Sequence, residues 1–194
     1  MIQEFVAQVN KAARNAMEGM HTAMPGEFTA YDPDTGMARV RPKVKFVRPD
    51  GGTMDYPEIT DVPVVFPQSE HVTVAFPIHK GDGCLIIFAE KALDYWRYGQ
   101  ETQTRLSFDL TNAIAIPSVR PAGSPIMKLA CEEDAAVIAS GGTMMKIKSD
   151  GVTVIGDLTV EGKITATGDV VASGSVSLAG HTHSTNDGMT GRPR

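Results

Sequence analysis

His181 and His183 have the clearest capacity for chemistry in this 194-residue chain. They are two imidazoles separated only by Thr182. On an extended strand such a pair projects to one side. Neutral imidazole is a common transition-metal ligand. Two ligands do not complete a coordination shell. The elements that carry the pair therefore decide what it does, and partner chains matter as much as the sequence.

Those elements form a six-residue repeat. Glycine stands at 156, 162, 168, 174 and 180, and the segments run GDLTVE, GKITAT, GDVVAS, GSVSLA and GHTHST. The third positions hold Leu158, Ile164, Val170 and Val176, and the fifth hold Val160, Ala166, Ala172 and Leu178. Third and fifth positions share one face of a strand, because the side-chain period is two. The second positions are polar: Asp157, Lys163, Asp169 and Ser175. Each chain thus makes one narrow apolar stripe that it cannot bury alone.

Two architectures use such a period. A single-chain left-handed β-helix needs three sixes per coil and several coils, and five sixes make fewer than two. An intertwined homotrimer shares its core between chains and works even when short. The length favours the trimer, which also hides strand edges. An unstructured tail would not place Leu, Ile or Val every sixth residue.

A three-fold axis brings three copies of the pair together, giving six imidazoles at the rod's end. Six nitrogens in octahedral array suit Fe, Ni or Co better than Zn, which prefers four ligands. One condition attaches. The apolar positions are even-numbered and the histidines odd, so the chain must break phase at Gly180 for His181 and His183 to face the axis. The remaining residues, Ser184 to Gly188 and Gly191 to Arg194, suit a short turn-forming cap.

The chain divides by composition. All twelve aromatic residues lie between Phe5 and Phe108, and residues 126–180 contain neither an aromatic nor a proline. A domain without large side chains must pack in thin layers. This places a boundary within 118–125. We expect an N-terminal helix over 1–20, a β domain over 21–120, a β-helical rod over 121–180 and an apex over 181–194. Phe5, Val9, Ala12, Ala16 and Met20 give the helix its spacing.

In the β domain we expect strands at 28–31, 37–41, 43–47, 62–66, 71–76 and 84–89, with turns at 32–36 and 49–52. Several short strands in about 95 residues suit a small OB-fold barrel. Residues 92–96 fit one helical turn. Further on, 145–147 and 152–154 alternate around Asp150-Gly151, and 126–140 reads as the wider base of the rod. The fold class is mainly β: an OB-fold barrel, then an intertwined triple-stranded β-helix with a metal-capped apex.

Other functions fit less well. Net charge is −5 and the pI about 5.5, so nothing electrostatic favours nucleic acid. The longest apolar run, 84–89, is far short of the roughly 20 residues that span a bilayer. No secretory signal is visible at the N-terminus. Cys84 and Cys131 lie outside any C-x-x-C spacing and read as free thiols in a reducing cytoplasm.

No catalytic constellation stands out, and we expect no enzyme. Asp32-Pro33-Asp34 lacks the further acidic positions of a calcium loop, and 141–146 lacks the phosphate-loop pattern. His21, His71 and His79 have no visible nucleophile partner. A hexapeptide-repeat acyltransferase fails on repeat length. A trimeric receptor-binding fibre tip would carry a larger aromatic-bearing head.

The chain resembles the central spikes of contractile phage tails and tailocins, close to short spikes with a gp138-like N-terminal domain and to baseplate assembly protein V. The resemblance rests on Val62-Pro63-Val64-Val65-Phe66-Pro67, on the run from Ala75 to Gly83, on Leu93-Asp94-Tyr95-Trp96, on the run from Phe108 to Ala115, and on Gly180-His181-Thr182-His183. It implies a homotrimer whose OB-fold domain sits on a baseplate hub protein. It implies one iron per trimer, held by His181 and His183 of three chains. The tip would be driven through the host outer membrane, piercing without spanning it. The protein would be assembled in the host cytoplasm and reside in the virion, at the tail baseplate. No catalysis is implied.

Overall fold

The computed structural model describes residues 2–48, 50–100, 106–117, 120, 122–186 and 188–191. The described residues are mainly β, with 36% strand and 17% helix. It forms two compact units, Met1–Gly123 and Ser124–Arg194.

The first unit opens with helix α1 (Ile2–Glu18), every described side chain of which is exposed. Seven strands follow: β1 (Ala23–Asp32), β2 (Met37–Pro42), β3 (Lys45–Val47), β4 (Thr53–Asp55), β5 (Ile59–Pro63), β6 (Gly83–Phe88) and β7 (Ala113–Pro117). Five of them make an antiparallel sheet in the order β5-β2-β1-β6-β7. The pair β3–β4 is a separate hairpin.

Strand β1 is long enough to be shared. It pairs with β2 and with β6, and Gly26 meets both Pro42 and Cys84. A Cβ on Gly26 would lie 2.5 Å from Ile86 Cδ1, so this crossing needs glycine. A register shift between Phe28 and Ala30 sharpens the bend. The sheet curls into a half-barrel. Just past β5, Val64 bridges Ala115 of β7 in parallel, and the Val65 N–H donates to the Ala115 carbonyl at 3.0 Å.

Alternate residues of these strands fill the concave side. Phe28, Val40, Val62, Cys84, Ile86 and Ala115 are fully buried. Burial pushes the Cys84 thiol up to about 12, so it stays protonated and serves as a small apolar side chain. A short helix, α2 (Asp94–Tyr98), ends at Gly99 in the left-handed conformation, φ 67°.

The first unit differs from expectation in detail. Residues 71–76 do not form a strand. Ser69 and Val72 close on each other instead, Ser69 N–H to Val72 carbonyl at 2.7 Å and Val72 N–H to Ser69 Oγ at 3.2 Å. Turn chemistry there outcompetes the alternating pattern. Strand β5 runs earlier than 62–66. It ends at Pro63, which cannot donate a ladder bond.

The second unit begins with helix α3 (Pro125–Glu133). This corrects the reading of 126–140 as rod throughout. Ser124 caps the helix by accepting from the Met127 N–H at 3.1 Å, and Pro125 takes the first turn. Asp134 stops it at φ 49°. Strands β8 (Ala136–Ser140), β9 (Thr143–Lys148) and β10 (Gly151–Ile155) then form a meander in the order β10-β9-β8. Residues 156–170 form no strand within the chain. Four two-residue strands complete the unit: β11 (Val171–Ala172), β12 (Val176–Ser177), β13 (Ser184–Thr185) and β14 (Gly188–Met189).

The meander has two unlike faces. On one, Glu133 of α3 holds Lys146 Nζ at 2.8 Å and Lys148 Nζ at 3.4 Å. Lys146 beside it holds the Glu133 carboxyl below its ordinary range. On the other, cross-strand register aligns Ile138, Met145 and Val154 in one row and Ala136, Ile147 and Val152 in the next. Ile138 is 69% exposed and Val152 59%. One chain alone leaves this apolar grid uncovered.

Candidate metal apex

The tip of the chain is built from two short hairpins. In the first, β11 and β12 are joined through Ser173 and Gly174, both left-handed at φ 51° and 70°. Beyond the strands the Leu178 N–H reaches the Val170 carbonyl at 2.8 Å. The Ala179 N–H donates to Asp169 Oδ1 at 3.0 Å. A hydrogen bond from Ser177, then that from Ala179, holds the Asp169 carboxyl below its ordinary range.

The chain then turns. The His181 N–H donates to the Ser177 carbonyl at 3.0 Å, and the Gly180 N–H to Ser177 Oγ at 2.7 Å. A Cβ on Gly180 would sit 3.0 Å from that hydroxyl, so the glycine allows the close approach. The turn reorients the chain between Leu178 and His181. The turn lies at the point where the expected phase break was placed.

His181 is half-buried, with Nδ1 2.9 Å from the Ser177 carbonyl oxygen. A carbonyl only accepts, so this contact is a hydrogen bond when Nδ1 carries the proton, and the neutral ring then has its lone pair on Nε2. Metal-binding histidines are held in this way, by a hydrogen bond on the nitrogen that does not ligate. His183 is fixed through its backbone. Its N–H donates to Thr190 Oγ1 at 2.8 Å, and its carbonyl accepts from the Thr190 N–H at 2.9 Å. The β13–β14 hairpin between them folds the last described residues beside the pair.

The two rings stand edge to face, with centroids 5.1 Å apart and planes at 87°. Two imidazoles bound at right angles on one metal, each about 2.1 Å from it, would have centroids about 4.6 Å apart. The observed centroid separation is about 0.5 Å longer than that spacing. Among the described residues, no group of three His, Cys, Asp or Glu side chains comes together within a chain. A full shell needs other chains.

The other histidines have different surroundings. His21 packs its ring against Tyr56 and Phe88, with centroids at 5.8 and 5.5 Å. His79 lies 3.8 Å from Asp82 at the surface, and His71 is exposed. A groove of about 760 Å³ in the first unit is lined in part by Glu27, Lys43, Asp82 and Arg120. Its Lys43 pairs with Glu27 at 3.1 Å.

Sequence reading named the two imidazoles but missed Ser177 and Asp169, which position them. Both are inconspicuous polar residues of the repeat. Only the turn at Gly180 brings Ser177 under His181. The apolar grid was half visible, in the alternation of 145–147 and 152–154.

Residues 24–118, which contain all of the curled sheet but Ala23, match the family model of the phage protein Gp138 N-terminal domain. That match is consistent with a structural, virion-borne role. No curated protein matches the chain. Among the described residues no helix is long and apolar enough to cross a membrane.

Proposed function

We propose that the chain is the central spike of a contractile-tail baseplate. It acts as a homotrimer whose first unit docks on a baseplate hub and whose second unit forms the piercing rod. The observation that carries this reading is the uncovered apolar surface of the second unit, which leads into an oriented His pair. Besides the grid on β8–β10, Leu158 and Ile164 of the repeat are each 69% exposed. Burying one such side chain stabilises by about 1.5–3 kcal/mol. Three chains wound about one axis supply that burial, and the glycine-punctuated segment 156–170 finds its strand partners in the neighbouring chains.

The first unit supports the same reading. Five antiparallel strands curled with a parallel closure between Val64 and Ala115 suit the partly open Greek-key barrel of an OB-fold. The Gp138 domain match covers that sheet.

At the apex, His181 and His183 of three chains would hold one transition-metal ion, for which iron is our assignment. Such an ion serves as a structural cross-link and couples metal binding to assembly. The residues of this chain do the rest. Ser177 fixes the His181 tautomer, Asp169 ties the preceding turn, and Thr190 holds the His183 backbone. Sheath contraction drives this closed tip through the host outer membrane, and the role requires no catalysis.

The test is native mass together with metal content. Light scattering should give three times the 20.7 kDa chain mass, and elemental analysis about one transition-metal ion per three chains. A monomer, or a trimer without metal, would overturn the spike assignment as stated.

A further inference from the structure

Helix α1 is amphipathic in an unusually clean way. Ile2, Phe5, Val6, Val9, Ala12, Ala13 and Ala16 fall within an arc of about 120° at 100° per residue. Glu4, Lys11 and Arg14 fall on the opposite side. The spacing 2, 5, 9, 12, 16 is that of heptad a and d positions. Yet Ile2, Phe5, Val6 and Val9 are all exposed. An isolated helix of this length is marginal in water, so the apolar stripe needs a cover.

We infer that the cover is the α1 of other copies: three α1 helices pack along this stripe into a short parallel bundle. The inference rests on the homotrimer reading above. Charge selects the occupant. The positions flanking the seam, Val6, Gln8, Ala13 and Asn15, are all neutral. Identical helices meet there without like-charge repulsion, and no charge code selects a different partner. The α1 sequence holds two basic and two acidic residues, which gives no net attraction to an anionic lipid surface.

Size points the same way. A stripe about 25 Å long and 10 Å wide is smaller than the roughly 800 Å² per side that a stable interface between separate proteins buries. Chains already joined elsewhere need far less. Their local concentration is in the millimolar range, and a small seam suffices.

The experiment uses the full chain with Cys131→Ser as background, since Cys84 is buried. Val9→Cys places a thiol on the seam, and Lys11→Cys places one on the opposite face. Under mild oxidation, Val9→Cys should form disulfide-linked pairs at least about ten times faster than Lys11→Cys, as expected of thiols held together by helix packing. Separately, Val9→Asp should remove about half of the helical ellipticity, since α1 supplies 17 helical residues against 5 in α2 and 9 in α3. Equal cross-linking rates in a protein of trimeric mass would overturn the α1 bundle and leave the spike reading standing. A monomeric mass would remove the spike reading, and the bundle with it.

Discussion

His181 and Ser177 are joined twice through one atom. The Ser177 carbonyl oxygen accepts from the His181 N–H at 3.0 Å and lies 2.9 Å from the ring Nδ1. The acceptor that turns the chain also holds the ring, through a second contact, and a proton on Nδ1 leaves Nε2 as the nitrogen that would ligate in the proposed apex.

The double variant His181→Ala, His183→Ala is expected to keep its trimeric mass and lose its metal. In the proposed trimer the rod core upstream would hold the chains, so only the apex should loosen. Elemental analysis and hydrogen exchange over 177–190 read the two effects. Metal retained at the wild-type level would place the ion elsewhere.

Asp169 makes the tip sensitive to acid. Its folded-state pKa lies below the ordinary Asp value of 3.8, chiefly through Ser177 and then the Ala179 N–H. A group with a depressed folded pKa stabilises above its unfolded pKa, and that stabilisation fades as pH falls through the folded value. Protection of the Ala179 amide against exchange, normalised for intrinsic rate, should therefore fall below about pH 4. Asp169→Asn should flatten that pH dependence. An unchanged profile in the variant would show that Asp169 does not hold the turn.

Alternation in β2, the short apolar run of β6 and turn signals at 32–36 made much of the sheet legible, since such patterns act within a few residues, whereas β7 at Ala113–Pro117 was not expected as a strand. What misled was local competition of the same kind. Residues 71–76 alternate like a strand, but Ser69 offers their backbone a nearer partner. Residues 126–133 contain Ile, Leu and Ala in no strand pattern, and the helix is announced instead by Ser124-Pro125. At the apex, residue types pointed to ligands, while their orientation depends on a turn whose hydrogen bonds no periodicity encodes.

Asn112 holds together the segments around α2. It is 4% exposed, and its amide nitrogen donates toward the carbonyls of Ala89 (3.2 Å), Lys91 (2.8 Å) and Leu106 (2.8 Å). Its Oδ1 accepts from the Leu93 N–H at 3.0 Å. Asn112→Ala strands these groups and should cost about 3 kcal/mol, or about 10 °C in Tm. Asn112→Asp, equal in size, should cost at least as much at neutral pH, because a carboxylate would face three carbonyl oxygens. Calorimetry on both variants is the check. An Asp variant as stable as wild type would mean that shape, not hydrogen bonding, is what this position supplies.

Ile138 separates a shared core from a solvent face. Within one chain it is 69% exposed on the apolar grid, and replacing it with Asp at a solvent face would change stability by no more than about 0.5 kcal/mol. In a core shared by three chains the same change buries three unpaired carboxylates near one axis, at several kcal/mol each. Ile138→Asp should therefore abolish the trimeric mass in light scattering. Thr153→Asp, exposed on the opposite face of the same sheet, serves as the control and should remain trimeric. If both variants keep the wild-type mass and Tm, the grid faces water and the shared core has no basis. If both lose it, the sheet tolerates no charge on either face, and Ile138 holds no special place in the assembly.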